Sequence, residues 1–226
     1  MRFRSFLKLL AVGSAVLLAA PLAGVAVYGF VPPPVTPLML IRRVEGFPIA
    51  KRWADREDVS PWLFRAVVAA EDARFCTHHG FDWDSMAQAW DAYRRGRRLR
   101  GASTITMQTA KNLFLWPGRD FLRKGIEAYA TAMMEALWHK ERILELYVNI
   151  VEWGPGVYGA EAAAHAHFGR AARDLTAHQA ALLAAVLPNP RRWSAGAPSP
   201  YVSRRAAEIL SRMEGDRRGS RDFCGS

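Results

Sequence analysis

The sequence predicts a mainly α protein, one helical domain preceded by one transmembrane helix. Three observations carry this. After residue 37, apolar residues recur at helical spacing nearly throughout, alanine is plentiful and strand-like alternation is scarce. Leu9 to Val31 is an apolar stretch without a single charge, and about 20 such residues span a bilayer core as a helix. Half of the 226 residues are hydrophobic and 23% are charged, enough to bury one sizeable core. We therefore expect a cytoplasmic N-terminus and transmembrane helix over 1–31, a linker over 32–44, a catalytic-sized domain over 45–200, and a C-terminal helix with a polar tail over 201–226.

The anchor comes first. Arg2, Arg4 and Lys8 precede the apolar run and the next basic residues are Arg42 and Arg43, so the positive-inside rule leaves the N-terminus in the cytoplasm and exports the rest. A cleaved signal peptide is the competing reading, because Pro21 interrupts the run and Gly24 and Ala26 are small. Both readings export the domain. The chain carries 31 Lys and Arg against 21 Asp and Glu, a net charge of +10, which suits a polyanion or an anionic membrane surface as partner. Only two cysteines are present, Cys76 and Cys224. This predicts no disulfide framework even in an oxidising compartment, and Cys76 reads as a small core hydrophobe rather than a nucleophile.

The linker "VPPPVTP" (31–37) is followed by "SPWLFRAVVAAED", which has Ser60 as N-cap and Pro61 at the first helical position. Leu63, Phe64, Val67 and Val68 form one stripe, and Glu71 falls on it one turn later. A carboxylate there is partly desolvated, which raises its pKa towards the range useful for taking a proton from a hydroxyl. The alternative is a structural glutamate paired with Arg74 at i+3. Zinc fits the neighbouring histidines poorly, because His78 and His79 are adjacent and cannot share a helix face.

In residues 100–169, Gly101 and Ser103 are expected to end a loop and cap a helix. On it Thr104, Gln108 and Lys111 fall at i, i+4 and i+7 as one polar, cationic face suited to phosphate. A second helix starts after Pro117 and Gly118 and is expected to bury Leu122, Ile126, Tyr129, Met133 and Leu137, with Arg123, Lys124 and Glu127 beside that stripe. Arg123 before Glu127 is the less stabilising i,i+4 order, so helix stability alone explains the pair poorly. Further on, Tyr147 and Asn149 read as buttresses of the cleft, "WGPGVYG" (153–159) as a glycine-rich turn between helices, and Thr176 with Gln179 as a capping box.

Five segments, "EDARFCTHHGFD", "GASTITMQTAKN", "RKGIE", "RILELYVNIVEWG" and "LLAAVLPNP", stand in the order and spacing of the motifs of the peptidoglycan glycosyltransferases, glycosyltransferase family 51. The resemblance covers roughly residues 45–195, and with no penicillin-binding domain after it the chain resembles the monofunctional members. It implies a mostly helical, lysozyme-like glycosyltransferase domain with a smaller membrane-facing lobe. The activity it implies is polymerisation of lipid II into β-1,4-linked glycan with release of undecaprenyl pyrophosphate. Glu71 then matches the catalytic base and Glu127 the second essential glutamate. Lys111, Arg119, Arg123 and Lys124 match the cations around the donor pyrophosphate, while Ser103, Thr104 and Gln108 line the substrate cleft.

An α-linked pyrophosphate leaving as a β-glycosidic product needs one inverting displacement, with a base on the acceptor side and cations on the leaving group. The implied partners are lipid II, the growing lipid-linked chain, the bacterial inner membrane, and cell-wall synthesis or division proteins. No tightly bound cofactor is implied, although a divalent cation, Mg or Mn, could assist the pyrophosphate. Three positions depart from the family pattern: Ala102 in place of a second glycine, Met107 in place of a glutamine, and His167 in place of an aromatic. Met107 puts an amide contact to substrate in doubt. "YRRGRRLRG" (93–101) has no nucleic-acid fold signature beside it and faces outward, so we read it as a loop attracted to lipid phosphates. A membrane-anchored lysozyme-like hydrolase and a non-catalytic cell-wall scaffold are the competing functions; the first has no need of the cation cluster, and the second has no need of Glu71.

Overall fold

The structure, a computed structural model, describes residues 21–96, 103–118 and 120–215, together with residues 8, 13, 19 and 224. The described chain is mainly helical. In order run α1 (residues 21–28), α2 (Pro37–Val44), the short strand β1 (Ala50–Lys51), α3 (Pro61–Glu71), α4 (Trp83–Arg94), α5 (Ile105–Phe114), α6 (Phe121–Leu137) and α7 (Lys140–Ile150). A hairpin of β2 (Glu152–Gly154) and β3 (Val157–Tyr158) follows, then α8 (Ala160–Phe168), α9 (Ala177–Val186) and α10 (Pro200–Gly215).

The core is built around α9, whose residues from Ala180 to Val186 are all buried. A helix apolar on every side must be enclosed on every side. α3 covers it with Leu63, Phe64, Val67 and Val68, and α10 covers it with Val202, Ala206, Ile209 and Met213. Thr176 and Gln179 form the expected capping box at its start. A second group packs α5 against α6 and α7. The expected turn at 153–159 is the β2–β3 hairpin, to which β1 adds a parallel strand with Ala50 opposite Val157. Asn149 braces this region by pairing both ways with the backbone of Ala54, at 3.0 and 2.9 Å.

The stretch expected as a linker contains α2, capped by Thr36 and burying Met39 against the α5 side of the molecule. Just before it, the carbonyl of Val25 accepts a hydrogen bond from the Trp138 indole at 2.9 Å. Arg142 donates to the carbonyl of Tyr28 at 2.9 and 3.2 Å, satisfying an otherwise orphaned helix-end acceptor. Among the described residues no helix is long and apolar enough to cross a membrane; residues 9–12, 14–18 and 20 of the expected span lie outside them.

Two expectations are corrected. Cys76 and Cys224 form a disulfide, with Cα atoms 5.1 Å apart across 148 positions of sequence; the bond joins Cys224 to the segment after α3, a contact that no local pattern encodes. The α6 stripe is also reversed. Leu122 and Leu137 are exposed and Ile126, Tyr129 and Met133 only half-buried, whereas Arg123, Glu127, Ala130, Thr131 and Met134 point inward. Arg123 and Glu127 can turn inward because each neutralises the other, and Leu122 and Leu137 are consequently left facing out.

Candidate active site

Glu71 is the last residue of α3, held by the buried stripe below it. The next residue, Asp72, fixes what stands opposite. Its carboxylate accepts the backbone N–H of Ile105 at the start of α5 and also meets His78 Nε2, both at 2.9 Å. Thr104, rather than the expected Ser103, is the N-cap of α5; its hydroxyl accepts from Met107 N and donates to the Gly80 carbonyl at 2.6 Å. Gly80 has φ +85°, and a Cβ there would lie 2.9 Å from both Thr131 and Glu135 side chains, so only glycine fits. These bonds clamp the segment after Glu71 to the start of α5.

The clamp sets Gln108 against Glu71. Gln108 Nε2 donates to Glu71 Oε2 at 3.0 Å, and the Tyr147 hydroxyl donates to Gln108 Oε1 at 3.1 Å. Arg205 of α10 approaches the other carboxylate oxygen at 3.6 Å. Arg74 pairs instead with Asp84 at 2.7 Å and Asp82 at 3.5 Å, so the purely structural Glu71–Arg74 pair is not formed. Burial raises the Glu71 pKa above its ordinary value, opposed by the Gln108 hydrogen bond and by the charges of Arg205 and Lys111.

Glu127 has a different setting. Arg123 Nη1 lies 2.6 Å from one of its oxygens and Lys124 holds the other. Lys111 stands within electrostatic reach of both carboxylates; burial lowers its pKa, Glu127 and Glu71 pull it up, and Arg123 and Lys124 push it down. Asp120 caps α6 by accepting from Arg123 N at 2.8 Å. A cleft of ≈ 610 Å³ opens between Glu71, Ser103 and Gln108 on one side and Tyr201, Arg204 and Arg205 on the other.

Of the residues expected from sequence, Glu71, Gln108 and Ser103 share this cleft, and Lys111, Arg123, Lys124 and Glu127 form one charged cluster. Thr104 is buried and committed to its cap. Arg119 and Ala102 lie outside the described residues, as do residues 97–101 of the basic loop. Met107 is buried on α5. His167 lies against the Trp153 carbonyl, at 3.0 Å, and its pKa is lowered by burial. Sequence reasoning missed the α10 side altogether. Arg204 and Arg205 follow a helix start, yet their periodicity does not say that this side of α10 borders Glu71.

The family described as Transglycosylase matches residues 40–214. The chain belongs to that family. Its transglycosylase match covers every element from α3 to α9 and nearly all of α10. Among similar proteins, the biosynthetic peptidoglycan transglycosylase of Rhodospirillum centenum is 55% identical over 92% of this chain and 94% of its own length. That of Caulobacter vibrioides is 51% identical over 86% and 85%. The Pseudomonas aeruginosa protein of the same description is 50% identical over 87% of each.

Proposed function

We propose that this chain is a peptidoglycan glycosyltransferase that polymerises lipid II by inverting displacement, with Glu71 as the general base. One observation carries the reading: a carboxylate held by Gln108 at the edge of a cleft and a cation cluster organised by a second carboxylate flank Lys111, which lies within electrostatic reach of both. On the Glu71 side, the 4-hydroxyl of the acceptor sugar gives its proton to the carboxylate as its oxygen attacks the anomeric carbon. On the other side, Lys111, Arg123 and Lys124 stabilise the charge that collects on the departing pyrophosphate. A hydrolase acting on finished glycan must protonate a poor leaving oxygen and gains nothing from such a cluster.

The fold supports a lysozyme-like domain carried at the inner membrane. Exposed Trp83, Trp90 and Tyr93 on α4, and Phe121, Leu122 and Leu137 on α6, give an outward apolar and aromatic surface suited to the membrane interface. The N-terminal apolar run is the anchor, with the N-terminus cytoplasmic and the domain outside. Glu127 is committed to two cations, so a divalent cation assisting the pyrophosphate is expected to arrive with that group.

Incubating the purified full chain with lipid II and sizing the products tests the assignment. Long glycan strands with release of undecaprenyl pyrophosphate are expected. Solubilisation of finished peptidoglycan without polymer from lipid II would establish the hydrolase instead.

A further inference from the structure

The hydrogen bonds behind Glu71 have a direction. Tyr147 is fully buried on α7, and burial, followed by the negative charges of Glu71 and Asp72, pushes its pKa well above the ordinary value. Its hydroxyl therefore keeps its proton and acts as a donor. Among the described residues, that proton is accepted by Gln108 Oε1, at 3.1 Å. With its carbonyl held by Tyr147, the Gln108 amide must present its NH2 group on the other side, 3.0 Å from Glu71 and 3.5 Å from the Ser103 carbonyl. Turning the amide over would set its carbonyl against the carboxylate. It would also leave the buried tyrosine proton without an acceptor, the costly outcome for a desolvated donor. A protonated Glu71 can accept from the fixed amide only through its neutral carbonyl oxygen, a weaker bond than the carboxylate makes, and the NH2 group cannot take its proton, so the contact favours the ionised form.

We propose that Tyr147 is a positioning residue of the transfer reaction: through the Gln108 amide it keeps Glu71 ionised and aimed, without touching substrate. This assigns Gln108 to Glu71 rather than to substrate. It also explains how a half-buried carboxylate at the end of an apolar stripe stays usable as a proton acceptor. The inference rests on Glu71 being the base, and two readouts separate the two claims.

The first readout is the titration of the Glu71 carboxyl by 13C NMR in the full chain, assigned with Glu71→Gln. The second is the pH–rate profile with lipid II. In Tyr147→Phe, the Glu71 midpoint and the acid limb of the profile should both move up by about one pH unit. At a fixed pH on that limb the rate falls about tenfold, while KM is unchanged and the plateau at higher pH recovers towards wild type. Gln108→Met should give the same displacement, and the double variant no more than Gln108→Met alone, because the two residues act as one relay. If Tyr147→Phe does not fold, the displacement in Gln108→Met decides. A midpoint and limb that stay in place in a folded variant, with only the plateau lowered, would overturn the proposal. A midpoint that moves without the limb would leave the relay standing and remove Glu71 from the base role.

Discussion

Glu71 and Glu127 are the same residue type in the same enzyme, yet their surroundings fit them for opposite work. Glu71 ends a helix, with its side chain 14% exposed, one amide donor on one oxygen and an arginine 3.6 Å from the other. Glu127 sits within α6 at 4% exposure, with Arg123 on one oxygen and Lys124 on the other. Burial without full compensation raises the pKa of the first and leaves an oxygen able to take a proton. Full pairing commits the second to holding cations in place. Burial alone therefore does not decide what a carboxylate can do; the number and charge of its partners do.

The sharpest test of this contrast is Glu71→Gln, which should lower polymerisation by about 10² to 10⁴ while preserving shape. The same substitution should stabilise the fold at neutral pH. Because the folded-state pKa is raised, the native state binds the proton more tightly than the unfolded chain does, so stability is lost as pH rises from about 4.3 through the folded value. Urea unfolding should therefore place Glu71→Gln above wild type at pH 7, with the gap closing in acid. A variant that is less stable than wild type at every pH would return Glu71 to a structural role.

Glu127→Gln should behave in the reverse way. It leaves the buried Arg123 guanidinium without its carboxylate, a loss of about 3 kcal/mol of stability. A lipid-pyrophosphate analogue should bind this variant more weakly, yet bind Glu71→Gln almost normally. Equal binding by the two inactive variants would place Glu127 in the chemical step and erase the contrast.

The smallest effect on the site itself concerns the disulfide, whose Cys76 lies five positions after Glu71. Cys224→Ser should cost about 2–4 kcal/mol by freeing the unfolded chain. Analogue binding at the Glu127 cluster should be retained. Reductant should destabilise wild type to the same level and leave the variant unchanged; a wild type insensitive to reductant would show that the bond does not form in solution.

Much of this site was legible one helix at a time. The stripe under Glu71 follows from i, i+3 and i+4 spacing, and the Thr176–Gln179 capping box is closed within four residues. The unfavourable order of Arg123 and Glu127 already marked that pair as something other than a surface ion pair. The α6 stripe failed for a particular reason: periodicity identifies two faces of a helix but assumes that the apolar one turns inward. Here the paired charges face inward with Ala130 and Met134, and Leu122 and Leu137 face out.

The sequence by itself thus determined the helical class, where several helices begin, and which carboxylates and cations could do chemistry, because those signals lie within one or two turns of chain. The tertiary structure alone decided that Arg205 reaches Glu71, that Tyr147 reaches Gln108 across 39 positions, and that Cys224 closes onto Cys76. Such contacts join residues with no shared period or motif. They exist only because α3, α5, α7 and α10 must pack around the same buried surface, and that packing sets which side of each helix the cleft receives.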